Sequence, residues 1–245
     1  KSEPIFPAPV HAKTQPRTCT GERYRHELKY RISYGEKAAL ELRLAPLLQR
    51  DAHAGPGGYL IRSLYFDDCW NSAYAEKDAG ILARKKYRIR IYNFSDRVIK
   101  LECKSKYGDL ISKQSVSIPR ELADQLIAGD PEGLQRMRHP LLHDVYREMK
   151  TRLLRPVVIV DYVREAYVHP AEEVRITFDK QIRTGLYQTD MFNPNIPTYP
   201  VFDDPVEVLE VKYDAFLPEL VRMAVQVPGR QAAACSKYAL SRRFD

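Results

Sequence analysis

The chain has 245 residues, 44% hydrophobic and 29% charged, a balance that excludes a disordered polymer and allows one large or two small folded units. Its net charge of +7 favours anionic partners, whether nucleic acid, acidic lipid or phosphorylated small molecules, without choosing among them. Cys19, Cys69, Cys103 and Cys235 form no Cys-x-x-Cys pair, which argues against a zinc site of ordinary spacing and for reduced thiols in a cytoplasmic protein.

Residues 1–21 carry Pro4, Pro7, Pro9 and Pro16 without periodicity and read as a flexible tail; residues 22–245 read as one folded domain. The first strand is expected over 23–32, "RYRHELKYRI". Ser33 and Glu36 then have the spacing of a capping box, predicting a helix that runs to about Gln49. A Gly-Pro-Gly-Gly loop at 55–58 leads into a strand over 59–66 and a short helix over 70–77. Strands over 82–92 and 97–106 flank "NFSD", a hairpin-like turn, and "YGD" turns the chain into another strand over 110–118. Pro119 opens a helix ending near Gly129, and Pro140 opens a second reaching about Arg152. Strands return over 157–168 and 172–180, a Pro-rich irregular segment covers 185–205, and the last strand is 206–213. Helix is expected over 216–225 and 230–243. No apolar run is longer than a strand, so no membrane segment is expected, and no signal peptide is visible.

Side chains alternate across a strand, so parity sorts each strand into two faces. On 82–92, Arg84, Lys86, Arg88 and Arg90 oppose Lys85, Tyr87, Ile89 and Ile91. On 23–32, Arg25, Glu27, Lys29 and Arg31 oppose Tyr24, His26, Leu28 and Tyr30. In "KLECKSK", 100–106, charged residues alternate with Leu101, Cys103 and Ser105. Tyr162 and Arg164 share a face, as do Glu173, Arg175, Thr177 and Asp179, and Glu210 with Lys212. These could be the water-facing sides of an ordinary sheet packed on helices. Yet four cations in a row should repel unless something negative sits there. Eight strands can close into a barrel; with the charged faces inward it would enclose a cationic lumen suited to a polyphosphate or triphosphate. Extended nucleic acid fits less well, because neither an aromatic RNA-binding signature nor a helix-turn-helix is present. The carboxylates among these cations have two readings. They are internal salt-bridge partners, or they hold a divalent metal of the kind that needs few protein ligands. Arg164 and Arg175 have a similar alternative, as partners of Glu165 or Asp179.

"RHELKY", "RSLYFDD", "RKKYRIRIY", "LECKSK", "VLEVKY" and "CSKYALSRR", in this order over about 22–243, resemble the VTC (vacuolar transporter chaperone) domain of the triphosphate tunnel metalloenzyme, or CYTH-like, superfamily. The resemblance implies an α+β fold: an eight-stranded antiparallel barrel, the tunnel, with helices outside and a C-terminal helix at one end. It implies a polyphosphate polymerase that uses ATP or another nucleoside triphosphate, with Mn²⁺ or Mg²⁺ as cofactor. Triphosphate and pyrophosphate are further implied ligands. By the same resemblance Lys29, Lys77, Lys113, Tyr162, Arg164, Arg175, Ser236 and Lys237 contact phosphate. Arg88, Arg90, Lys104 and Lys212 carry catalysis, and Glu210 binds the metal. Two departures stand out: Lys77 where some members have Arg, and Ala234 where some polymerases have another Lys. Without an SPX-like region, the chain looks like a stand-alone bacterial-type member. The alternatives are a triphosphatase of the same fold and a binding module that turns nothing over.

Overall fold

The computed structural model describes residues 24–52, 54–169, 173–232 and 235–243; the expected tail, Cys19, His53 and Ala234 lie outside them. The strands are β1 (His26–Ile32), β2 (Gln49–Arg50), β3 (Tyr59–Asp67), β4 (Ala83–Tyr92), β5 (Ser95–Tyr107), β6 (Leu110–Ser117), β7 (Arg155–Val168), β8 (Arg175–Thr184), β9 (Tyr199–Pro200) and β10 (Glu207–Tyr213). The helices are α1 (Tyr34–Leu44), α2 (Ser72–Asp78), α3 (Arg120–Ile127), α4 (Pro140–Thr151), α5 (Glu219–Ala224) and α6 (Lys237–Ser241), with a 3₁₀ turn at Glu132–Arg136.

Local chemistry explains most boundaries. The Ser33 hydroxyl accepts from the Glu36 N–H at 3.3 Å, and the Glu36 carboxylate accepts from the Ser33 N–H at 2.6 Å, completing the expected capping box. Helix α1 stops at Leu44, short of the expected Gln49: Ala45 keeps helical backbone, but Pro46 has no N–H to continue the hydrogen-bond ladder. Asn93 and Phe94 both have positive φ, 50° and 56°, as a two-residue turn of mirror-image type requires between twisted strands. The helix expected from residue 230 is observed only as the short α6, whose start Ser236 caps by accepting from the Ala239 N–H at 3.4 Å.

The sheet runs β1-β10-β8-β7-β3-β4-β5-β6, with β2 added to β7 and β9 to β8. The eight long strands are those expected, and the ladders with a described register are antiparallel. One expectation fails: β1 and β6 end the path, so the described sheet is not a closed barrel. Alternation of charge and hydrocarbon is the same in an open and a closed sheet, so parity could not have told them apart.

The chain divides into two compact units. The first comprises Lys1–Tyr59, Val163–Gln181 and Phe202–Cys235; the second comprises Leu60–Tyr162, Ile182–Val201 and Ser236–Asp245. Each has its own core. In the first, Leu40 and Leu44 of α1 and Val221 and Ala224 of α5 pack on Tyr30, Ile176, Phe178, Leu209 and Val211. In the second, Leu122 and Leu126 of α3 and Leu141, Leu142 and Val145 of α4 pack on Tyr87, Ile89, Ile91, Leu101 and Cys103. Each such buried side chain stabilises by about 1.5–3 kcal/mol. The apolar faces picked out by parity are therefore the helix-covered faces, and the opposite faces carry the charge.

Candidate anion-binding site

In the second unit, the β4–β5 register sets Lys86 opposite Lys104, Arg88 opposite Glu102 and Arg90 opposite Lys100. The β5–β6 register continues the first of these rows by setting Lys104 opposite Lys113. Three lysines thus stand abreast on adjacent strands. Beside them, Glu102 is 2% exposed and gathers three cations. Arg88 lies 2.7 Å from its carboxylate, Lys113 3.0 Å and Arg90 3.7 Å. Burial opposes ionisation of Glu102, but the charges of Arg88, Arg90 and Lys113 prevail and hold it well below the usual carboxylate range. For Lys113 the balance runs the other way. Burial, helped by Arg88 and Arg90, outweighs Glu102 and pulls the ammonium pKa down.

Tyrosines aim both guanidiniums. Arg88 Nη1 donates to the Tyr65 hydroxyl at 3.0 Å, and Arg90 Nη2 donates to the Tyr162 hydroxyl at 2.9 Å. Lys237 is buried, with its ammonium 4.8 Å from the Tyr162 ring centre. Ser236 caps α6, and its hydroxyl accepts from Lys86 Nζ at 2.9 Å. The structure so brings together Arg88, Arg90, Lys104, Lys113, Tyr162, Ser236 and Lys237. It leaves Lys77 in the last turn of α2, where among the described residues it makes no hydrogen bond or ion pair with the others.

The first unit holds the remaining expected residues. There Lys29 pairs across the β1–β10 ladder with Glu210, and Glu27 with Lys212. Lys29 Nζ lies 2.7 Å from Glu27 Oε1 and 3.6 Å from Glu210 Oε2; burial alone would lower its pKa, but the two carboxylates raise it. Glu210 also meets Lys212, and Arg164 at 3.9 Å. Arg164 forks onto Asp179, and Arg175 lies 2.6 Å from Asp51. Of the two salt-bridge partners weighed for Arg164, Asp179 is the one it takes.

No cluster of three His, Cys, Asp or Glu side chains is poised for a metal among the described residues. The Thr177 hydroxyl, cross-strand neighbour of Glu210, is buried without a hydrogen-bond partner. Glu27 and Glu210 offer hard oxygens 2.7 and 3.6 Å from the Lys29 ammonium, and Thr177 stands opposite Glu210 on β8. That is a partial donor set, of the kind a substrate's phosphates complete around Mg²⁺ or Mn²⁺, so the residues fit such an ion.

The model of one protein family, the VTC domain, matches residues 24–244. The chain belongs to that family. A comparison with curated proteins finds no match. Among solved structures, a candidate adenylate cyclase of Bacillus halodurans is 13% identical over 85% of this chain and 94% of its own, with a TM-score of 0.49. A candidate adenylate cyclase of Vibrio parahaemolyticus is 11% identical over 82% and 81%, with a TM-score of 0.42. The Mimivirus capping-enzyme triphosphatase is 14% identical over 80% and 83%, with a TM-score of 0.35. In this VTC domain, sequence reasoning missed the groups that position its cations: Tyr65, Tyr238, Asp67 and Asp51. It placed Lys86 on the charged face without giving it a role. Tyr65 could have been found by parity, since it is directly opposite Arg88.

Proposed function

We propose that this VTC domain is a metal-dependent polyphosphate polymerase that moves the terminal phosphoryl group of ATP onto a growing inorganic polyphosphate chain. One observation supports this above the others: the Lys86, Lys104 and Lys113 row beside Arg88 and Arg90. Like charges set directly opposite one another destabilise a sheet, and a multiply charged anion relieves that cost.

In this reading, within the second unit, Arg88, Arg90 and Lys104 neutralise charge on the transferring phosphoryl group and the leaving diphosphate, and Lys113, Tyr162, Ser236 and Lys237 hold the anion. Within the first unit, Lys212 has the same charge-neutralising role and Lys29, Arg164 and Arg175 contact phosphate. An oxygen of the chain's terminal phosphate attacks the γ-phosphorus, the bond to the β–γ bridging oxygen breaks, and ADP leaves with that electron pair. Such transfer asks mainly for positioning and charge neutralisation. Glu210 would hold a divalent ion, which when bound would supply Lewis-acid neutralisation of phosphate charge. In this reading the domain draws on cytoplasmic ATP. No helix of the described residues is long and apolar enough to cross a membrane.

The test is to incubate the protein with ATP and Mn²⁺ and to resolve the products. Long phosphate chains are the expected result. Free phosphate alone identifies a triphosphatase, and tight binding without turnover a binding module. Glu210→Gln is expected to cut turnover and weaken Mn²⁺ dependence; unchanged values would remove Glu210 from the role given to it.

A further inference from the structure

Lys86 is seated with unusual care. Its ammonium donates to the Ser236 hydroxyl at 2.9 Å and lies 5.1 Å from the centre of the Tyr238 ring. That ring also packs against Tyr65, at 5.3 Å, whose hydroxyl holds Arg88. The Tyr238 hydroxyl donates to Asp67 and accepts from Arg242 at 3.0 Å. Asp67 cannot drift, because its carboxylate also accepts from the N–H groups of Asp68, Ala73 and Tyr74 at 2.9, 2.9 and 3.1 Å. All these residues belong to the second compact unit. A latch between Tyr238 and Asp67 therefore pins α6 and fixes the Lys86 ammonium.

The fixed position has a place in a series. Residues two apart on a strand are about 6.6 Å apart along it. Arg90, Arg88 and Lys86 thus mark successive steps along β4, and the last step is level with Lys104 and Lys113. An anion with two phosphates can be held at the Arg88 and Arg90 steps alone. A longer chain extends onto the lysine row. We propose that Lys86, seated by Tyr238 and Ser236, is a specificity-determining contact that favours long inorganic phosphate chains over short ones, with Tyr238 as its positioning residue. This rests on the polyphosphate reading above.

The experiment is calorimetric titration of the whole protein with pyrophosphate, tripolyphosphate and long-chain polyphosphate. Lys86→Gln is expected to weaken long-chain binding roughly tenfold, as loss of one charge-assisted contact should, and pyrophosphate binding less than about twofold. Lys86→Arg should restore most of the long-chain affinity. Tyr238→Phe keeps the ring but loses the bond to Asp67, and should shift the same long-to-short ratio by a smaller factor. An equal loss for all three anions, or no loss, overturns the inference while leaving the anion site standing. Failure of the native protein to bind any of them overturns the underlying reading and this one with it. Should Lys86→Gln not fold, the ratio measured with Lys86→Arg and Tyr238→Phe decides: unchanged in both, it overturns the inference.

Discussion

Lys104 stands directly opposite Lys113 across the β5–β6 ladder, and directly opposite Lys86 across the β4–β5 ladder. Cross-strand like charges cost roughly 0.2–1 kcal/mol per pair. This arrangement trades stability for anion affinity. Lys104→Ala is therefore expected to leave the melting temperature at low salt unchanged or raised, while affinity for tripolyphosphate falls roughly tenfold. Thermal melts of both proteins, with and without the anion, check it. At about 100 times its dissociation constant the anion should add about 2.7 kcal/mol to native stability. A variant that melts lower yet binds as well would reverse the assignment.

Glu102 turns the same face into a pH-dependent structure. Its folded-state pKa lies well below the usual value of about 4.3, because Arg88, Arg90 and Lys113 overcome its burial. A depressed carboxylate contributes stability that is present above its unfolded pKa and lost as pH falls towards the folded one. Glu102→Gln should therefore cost about 2–3 kcal/mol at pH 7. The gap should close progressively below about pH 4. Urea unfolding of the two proteins across that range tests this, and a gap that does not change with pH refutes it.

Particular residues show how much of this was written in the sequence. Parity placed Arg84 to Arg90 on one face and Tyr87, Ile89 and Ile91 on the other, and the core of the second unit confirms that division. The capping box at Ser33 and Glu36 and the turn at Asn93 and Phe94 were legible because each depends on neighbours in the chain. The partners were not. Arg62 is 1% exposed and donates to both oxygens of Asp161, 99 residues away. Glu165 bridges Lys37 and Lys180 beneath α1. These charges lie on the helix-covered faces, where alternation predicts hydrocarbon. A buried charge is tolerated once an opposite charge from a distant segment meets it, and one strand read alone carries no trace of that segment. Closure of the sheet was illegible for the same reason, as a property of pairing and not of pattern.

Arg164 Nε and Nη2 donate to the two oxygens of Asp179 at 2.6 and 2.7 Å, and Asp179 is fully buried. Removing one member of such a pair strands the other charge, at a cost of about 3–5 kcal/mol. Asp179→Ala should fall in that range. Arg164→Met with Asp179→Leu should cost less than the sum of the single changes, because no charge is left unpaired. A double-mutant cycle by urea unfolding measures the difference. Strict additivity would mean that the pair is not coupled.

Glu207 presents the opposite electrostatic case. It is 2% exposed, and neither carboxylate oxygen has a hydrogen-bond partner. Lys37 and Glu41 of α1, Lys180 of β8 and Glu165 of β7 act on it electrostatically. Burial pushes its pKa above the usual carboxylate range, against the pull of Lys37 and Lys180. A raised carboxylate contributes stability that is full below the unfolded pKa of about 4.3 and is lost as pH rises through the folded one. Glu207→Gln keeps the shape and removes the titration. At pH 8 the variant should be at least as stable as the native protein, by up to about 1 kcal/mol, and the advantage should shrink towards pH 5. Melting temperatures across pH 5–8 provide the measurement. A variant less stable at pH 8 would show instead that the Glu207 charge is needed to balance Lys37 and Lys180.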